Sequence, residues 1–157
     1  MRAVLQRVKS AKVEVDGAVV WQCGTGFLVL LGVDRTDSEA EADFLAAKIG
    51  KLRVFEDEAG KMNRSITDIG GGYLVVSQFT LYANCRHGNR PEFLRAARPE
   101  LAIPLYEYFM DKLQESGAHV EHGIFGADMQ VTLQNDGPVT ILLDTDELMR
   151  TPAGKES

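Results

Sequence analysis

Met129-Gln130-Val131-Thr132-Leu133-Gln134-Asn135-Asp136-Gly137-Pro138-Val139-Thr140-Ile141-Leu142-Leu143 is the stretch on which the fold turns. Apolar alternation runs through Met129–Leu133 and an apolar run through Val139–Leu143, the patterns of half-buried and buried strands. Between them Gly137 supplies an unusual backbone conformation, and Pro138 fixes φ and removes an N–H. X-Pro bonds are also the only common sites of cis peptides. On its own the pair reads as an ordinary hairpin turn, with separate strands over 128–134 and 139–144.

Working back towards the N-terminus, residues 118–122 form a further short strand. A helix precedes it, with Pro99 and Pro104 at or near its first turn, an apolar stripe of Leu101, Leu105, Tyr108, Phe109 and Leu113, and Gly117 at its end. Before that helix comes a long polar loop over about residues 83–92, and before the loop a strand from Tyr73 to Phe79 that follows Gly70-Gly71-Gly72. Thr36-Asp37-Ser38-Glu39 has the form of a capping box and opens another helix, with Phe44, Leu45, Ile49 and Leu52 on one face. Val54-Phe55 is a short strand that ends in the turn Asp57–Gly60. Near the start, residues 2–8 read as a strand, and Lys12–Val15 alternates into the hairpin turn Asp16-Gly17 and then Val19–Trp21. Phe27-Leu28-Val29-Leu30-Leu31 is apolar on consecutive positions, which predicts a strand buried on both faces. Strands grouped around two main helices predict an α+β fold with a mixed, largely antiparallel sheet. The expected organisation is a single domain over 1–148 and a frayed tail over 149–157.

Composition narrows the function. The chain has 157 residues, enough for one domain with a real core. Its net charge of −6 argues against a broad nonspecific nucleic-acid surface. Arg86, Arg90, Arg95 and Arg98, with His87 and a single acid, Glu92, form a local basic stretch: a solvated loop or a phosphate-facing patch. No apolar run is long enough to span a membrane and no signal peptide opens the chain, so a cytoplasmic protein is expected. Cys23 and Cys85 lack metal-site spacing and read as free thiols.

The common catalytic motifs are absent: no GxGxxG, no phosphate-binding P-loop, no HExxH and no GxSxG around Ser77. Gly24-Thr25-Gly26 and Gly70-Gly71-Gly72 read as turns. His119 and His122, three apart on a strand, point to opposite faces and make a poor metal pair. No cofactor is expected. What remains is Ser77-Gln78-Phe79-Thr80-Leu81 at the end of a buried strand. If a twist or bulge at the strand end brings the N–H groups of Phe79 and Thr80 to one point, they can stabilise a developing oxyanion. Thr80 is a nucleophile only if something activates it, and no histidine near it in sequence is an obvious base.

Ser77–Leu81 and Asn135-Asp136-Gly137-Pro138-Val139-Thr140 together resemble the two signature segments of the D-aminoacyl-tRNA deacylases. The resemblance extends over roughly residues 1–145, through Met1–Val8, Lys61-Met62-Asn63, Gly88-Asn89-Arg90-Pro91 and Gly123–Met129. It implies a deacylase-like, barrel- or roll-like fold and a homodimer that hydrolyses the ester between a D-amino acid and the 3′ adenosine of tRNA. It also implies a cis Gly137–Pro138 bond, with the pair reaching into the site of the other subunit and offering its carbonyls to the substrate's α-amino group. Ser77, Gln78, Phe79 and Thr80 then line the ester pocket, Arg7 braces the Gly-Pro turn, and Phe125 and Met129 flank the adenine. His122 and Glu92 depart from the family pattern, outside both signatures. Two other readings remain: a noncatalytic RNA-end-binding module using Arg86–Arg98 and the same pocket, and a metal-dependent hydrolase using His119, His122 and an acid.

Overall fold

The computed structural model describes residues 1–150. The expected tail therefore lies outside the described residues from 151 onward. In chain order the elements are β1 (Arg2–Val15), β2 (Ala18–Cys23), β3 (Gly26–Gly32), α1 (Glu39–Lys51), β4 (Phe55–Glu56), β5 (Met62–Arg64), β6 (Gly72–Ser77), a 3-10 turn (Phe79–Tyr82), α2 (Pro99–Gln114), β7 (Val120–His122), β8 (Gln130–Asp144) and α3 (Thr145–Leu148).

One long strand organises the sheet. β1 carries β8 along one edge; on its other edge β3 pairs with Arg2–Val8 and β2 with Ala11–Val15. These pairings are antiparallel, whereas β3–β6 and β6–β7 are parallel. The sheet is thus mixed, and β4 with β5 forms a separate small hairpin.

Both faces of the sheet are covered. On one, α1 and α2 pack over Ala3, Leu5, Phe27, Val29, Leu31, Tyr73 and Val75. On the other, a smaller core gathers Val8, Ala11, Val13, Leu28, Leu74 and Val76, with Met129 and Val131 of the β8 side against it. This is why β3 is apolar at consecutive positions: Phe27, Leu28, Val29 and Leu31 are each at most 1% exposed, alternating between the two cores. Full burial of such a side chain is worth ~1.5–3 kcal/mol.

Five local expectations change. Residues 2–8 and Lys12–Val15 belong to one continuous strand, β1. Residues 128–134 and 139–144 are not two hairpin strands but one, β8, and both halves pair with β1. Gly137-Pro138 sits in a bulge, where the residues Asp136–Val139 face Arg7 alone, between the pairs Val8–Asn135 and Gln6–Thr140. The Tyr73 strand ends at Ser77, because the chain bends into the 3-10 turn straight after the bond from Gln78 N to Leu31 O (2.8 Å). The capping box lies two residues later than expected: Ser38 is the N-cap and Glu41 its partner. Thr36 and Asp37 are diverted, Thr36 to Asp34 and Asp37 to the Met1 amino group. Pro104 lies inside α2 rather than in its first turn, while Pro99 takes the first position.

Candidate active site

The bend after β6 brings main-chain groups at the end of a buried strand to open space. Ser77 is the last strand residue, in register with Leu31. The turn that follows is closed by Leu81 N to Gln78 O (3.2 Å) and Ala83 N to Thr80 O (3.0 Å). As the first two residues of the turn, Phe79 and Thr80 have N–H groups with no carbonyl to meet inside it. The side chains of both are exposed. The Gln78 amide donates to the Thr80 hydroxyl. No histidine, lysine or carboxylate among the described residues hydrogen-bonds to Thr80.

Next to this bend is a cavity of about 280 Å³. Ser77, Gln78 and Phe79 form one side of it, and Phe125, Asp128 and Met129 another. Tyr106 of α2 closes the floor. Its hydroxyl donates to Val75 O at 2.8 Å, and burial pushes the phenol pKa well up, so it stays a neutral donor. Tyr106 also packs edge-on against Phe125, with ring centroids 6.2 Å apart. Tyr106 lies outside the stripe that the sequence predicts. The spacing of Ala102, Tyr106, Phe109 and Leu113, all buried, marks the true inward face. Met129 is held by Gly123, where an added Cβ would fall 2.5 Å from its sulfur.

The other signature is elsewhere in the same chain. The Gly137–Pro138 bond is cis, and Gly137 has φ +120°. Behind it the Arg7 guanidinium, almost fully buried, donates from Nε to Asp136 O (3.0 Å) and from Nη1 to Val54 O (2.7 Å). Asp136 and Glu56 carboxylates lie 3.7 and 4.0 Å away and balance its charge. Gly137 and Pro138 themselves are exposed. Reading across β8, β1, β3 and β6, the pair is three strands from β6, ~14 Å measured along the sheet, and Ser77 lies a further ~13 Å along that strand. The structure thus brings Ser77, Gln78, Phe79, Phe125 and Met129 together, sets Thr80 at the rim, and places Arg7, Gly137 and Pro138 apart from them within one chain.

The basic stretch separates into distinct parts. Arg95 is engaged by Asp34 and Asp146. Arg86, His87 and Arg90 are exposed on a loop whose neck is closed by reciprocal bonds between Asn84 and Glu92. Glu92 also accepts from Leu94 N (2.8 Å) and Asn84 Nδ2 (2.7 Å), bonds that lower its carboxyl pKa. His119 pairs with Glu121 at 2.6 Å, and His122 lies 2.6 Å from Gly123 O and beside Trp21. Among the described residues no three His, Cys, Asp or Glu side chains are placed to hold a metal ion. None of the described helices is long and apolar enough to cross a membrane.

A curled mixed sheet backed by two long helices, with a cavity walled by main chain and apolar rings at the end of β6, defines a small α+β class of protein. Residues 4–144 match the family described as D-Tyr-tRNA(Tyr) deacylase. The chain belongs to that family. A Thermus aquaticus protein named D-aminoacyl-tRNA deacylase is 59% identical over 147 residues, covering 94% of this chain and 97% of the relative. One from Symbiobacterium thermophilum with the same name is 60% identical over 147 residues, with the same coverage. Among solved structures, one titled c-Myc DNA Unwinding Element Binding Protein superposes with a TM-score of 0.85 at 42% identity, covering 98% of this chain and 100% of that one. A second, a probable eukaryotic D-amino acid tRNA deacylase, has a TM-score of 0.78 at 16% identity, covering 90% of this chain and 97% of that one, and so speaks to the fold alone.

Proposed function

We propose that this chain hydrolyses the ester of D-aminoacyl-tRNA, releasing the free D-amino acid and tRNA. The observation that carries the reading is the bend at Ser77–Thr80, with two unclaimed N–H groups beside a cavity of about 280 Å³. Family membership points the same way.

Water is the nucleophile in this reading. Its oxygen attacks the ester carbonyl carbon, and the negative charge that forms on the carbonyl oxygen is met by the N–H groups of Phe79 and Thr80. Collapse breaks the bond to the ribose oxygen, which takes up a proton as it leaves. A preorganised donor of this kind is worth ~100- to 1,000-fold in rate. The tRNA ester is already activated, so positioning supplies much of the remainder. The vicinal ribose hydroxyl helps to activate the water, which accounts for a site without a protein base beside Thr80. Phe125 and Met129 flank the adenine, and Ser77 and Gln78 line the ester.

Selectivity comes from a second copy of the chain. Gly137 and Pro138 are exposed and far from the cavity of their own chain, and Arg7 braces them from behind. In a homodimer the pair enters the partner's cavity, where its carbonyls receive the substrate's α-amino group and its main chain occupies the space an L side chain needs. Exposed Phe79, at 57%, and Leu142, at 76%, are apolar surface that such a dimer covers. A main-chain wall has no means of excluding glycine, so glycyl-tRNA is cleaved as well.

The test is release of free amino acid from D-, L- and glycyl-tRNA by the purified chain. D- and glycyl-tRNA turn over and L-tyrosyl-tRNA is spared; binding without release in all cases returns the noncatalytic RNA-end binder. Thr80→Ala separates the two mechanisms. Turnover within about tenfold of the parent supports substrate assistance, since only a positioning bond is lost. Complete loss in a folded protein makes Thr80 the nucleophile.

A further inference from the structure

We infer that Arg2 and Arg95 are positioning residues for the Ser77–Thr80 bend, acting together through the ring of Tyr82. The inference rests on the reading of that bend as the ester site.

The bend is held by little of its own. Two backbone bonds close it, and the side chains of Phe79 and Thr80 are exposed. Its anchor is Tyr82, 3% exposed. Two guanidinium groups lie over the Tyr82 ring, Arg2 at 4.6 Å and Arg95 at 5.1 Å from its centroid. Both arginines are only partly shielded from solvent, Arg95 more exposed than Arg2, so each cation–ring contact is modest and the two act on one buried ring. Arg2 also donates from Nη1 to Leu81 O (3.0 Å), within the turn itself.

Each arginine is tied to a different part of the fold. Arg2 Nε donates to Asp144 (2.8 Å), the N-cap of α3. Arg95 donates from Nε to Asp34 (2.9 Å), beyond the end of β3, and from Nη2 to Asp146 (2.8 Å) on α3. The end of β3 presses on the same turn: a Cβ added at Gly32 would fall 3.2 Å from Gln78 O, Leu81 Cβ and Tyr82 Cε2. The Tyr82 hydroxyl, by contrast, is buried without a partner. The ring is therefore the functional part of this side chain. Neither arginine lines the cavity, so neither touches substrate in the proposed reaction.

A positioning role and a merely stabilising one make different predictions. The experiment compares Arg2→Met, Arg95→Met, Arg95→Lys, Tyr82→Leu and Tyr82→Phe with the parent, at a temperature where circular dichroism shows each folded. Arg2→Met, Arg95→Met and Tyr82→Leu lower kcat for D-aminoacyl-tRNA about 10-fold or more, with KM within about threefold, because a small misplacement of oxyanion donors acts on the transition state. Arg95→Lys keeps the charge without the fork and falls between. Tyr82→Phe stays within about twofold, since it keeps the ring. In the same variants the amides of Leu81 and Ala83 exchange hydrogen about 10-fold faster or more, while those of β3 are unchanged.

Unchanged kcat and unchanged exchange in the folded arginine variants overturn the inference. So does a Tyr82→Phe variant as impaired as Tyr82→Leu, which would assign the effect to the hydroxyl. If the parent releases no amino acid at all, the reading of the site fails, and amide exchange alone then decides whether the two arginines hold the bend.

Discussion

Two main-chain devices in this molecule are built in opposite ways. The bend at Ser77–Tyr82 is supported from several elements of its own chain: β3 against its side, Arg2 and Arg95 over Tyr82, and Asp34, Asp144 and Asp146 behind the arginines. The bulge at Asp136–Val139 has Arg7 behind it and solvent in front. A bend braced from several elements behind it can hold its N–H groups fixed at an open rim. A bulge braced only from behind leaves its Gly137 and Pro138 carbonyls facing solvent. The strongest way to break this contrast is Arg7→Met. It leaves Val54 O and Asp136 O without their charged donor in a nearly closed space, for a loss of ~2–4 kcal/mol. Thermal melts should show that loss, and D-amino acid release should fall ~100-fold as the bulge loses its aim. Retained activity in a destabilised Arg7→Met would mean that the bulge needs no brace.

Gly137→Ala strikes the same device more narrowly. At φ +120° an L side chain is strained, and its Cβ would fall 2.7 Å from Arg7 Nη2 and 3.1 Å from a Val139 methyl. The expected cost is ~1–3 kcal/mol of stability. Turnover of D-aminoacyl-tRNA should drop, while binding of adenosine in the cavity, read by calorimetry, stays as in the parent. Lost adenosine binding would mean that the bulge shapes the adenosine wall of a cavity as well as the place of the amino acid.

The sequence made these two devices legible to different depths. Gly and Pro mark a break in a strand, but a hairpin turn and a bulge need the same residues. What decides is the partner, and β1 runs alongside both halves of β8 from Arg2 to Glu14. That pairing is long-range and leaves no local trace. The doubly buried β3 was legible, because consecutive apolar residues need two cores. Ser77–Thr80 stands out by residue type, yet the pattern predicts a strand two residues too long, since the bend depends on contacts with Leu31 and Gly32. The supports of the bend were hidden for the same reason. Arg95 reads as one member of a basic run, whereas its partners Asp34 and Asp146 are distant in sequence. Asp146 stands on α3 and binds Arg95 across 51 residues of sequence.

Gly123→Ala probes the far wall of the cavity and should act more weakly. The Cβ would overlap Met129 Sδ, but a thioether on a flexible stem moves aside cheaply. Stability should change by less than ~1 kcal/mol, while KM for D-aminoacyl-tRNA rises about threefold as Met129 is pushed towards the substrate. An unchanged KM would remove Met129 from the adenine wall.

The smallest effect is electrostatic and tests what holds the bend. Burial alone would raise the Asp34 pKa, but the bonds from Thr36 N–H and Arg95 outweigh it and leave the carboxyl below its ordinary 3.8. A carboxyl with a lowered folded-state pKa contributes stability that is fully present above the ordinary value and is lost as pH falls through the folded one. The neighbouring Asp37 has the opposite sign: burial raises its pKa despite the Met1 amino group, so its protonation favours the folded chain. The two partly cancel in a simple acid titration. Comparing the parent with Arg95→Met isolates the first, because Asp37 is common to both proteins. The stability gap between them should be constant from neutral pH down to the ordinary carboxylate range and narrow below it. A gap that does not change with pH would mean that Arg95 holds the bend by packing on Tyr82 rather than through Asp34.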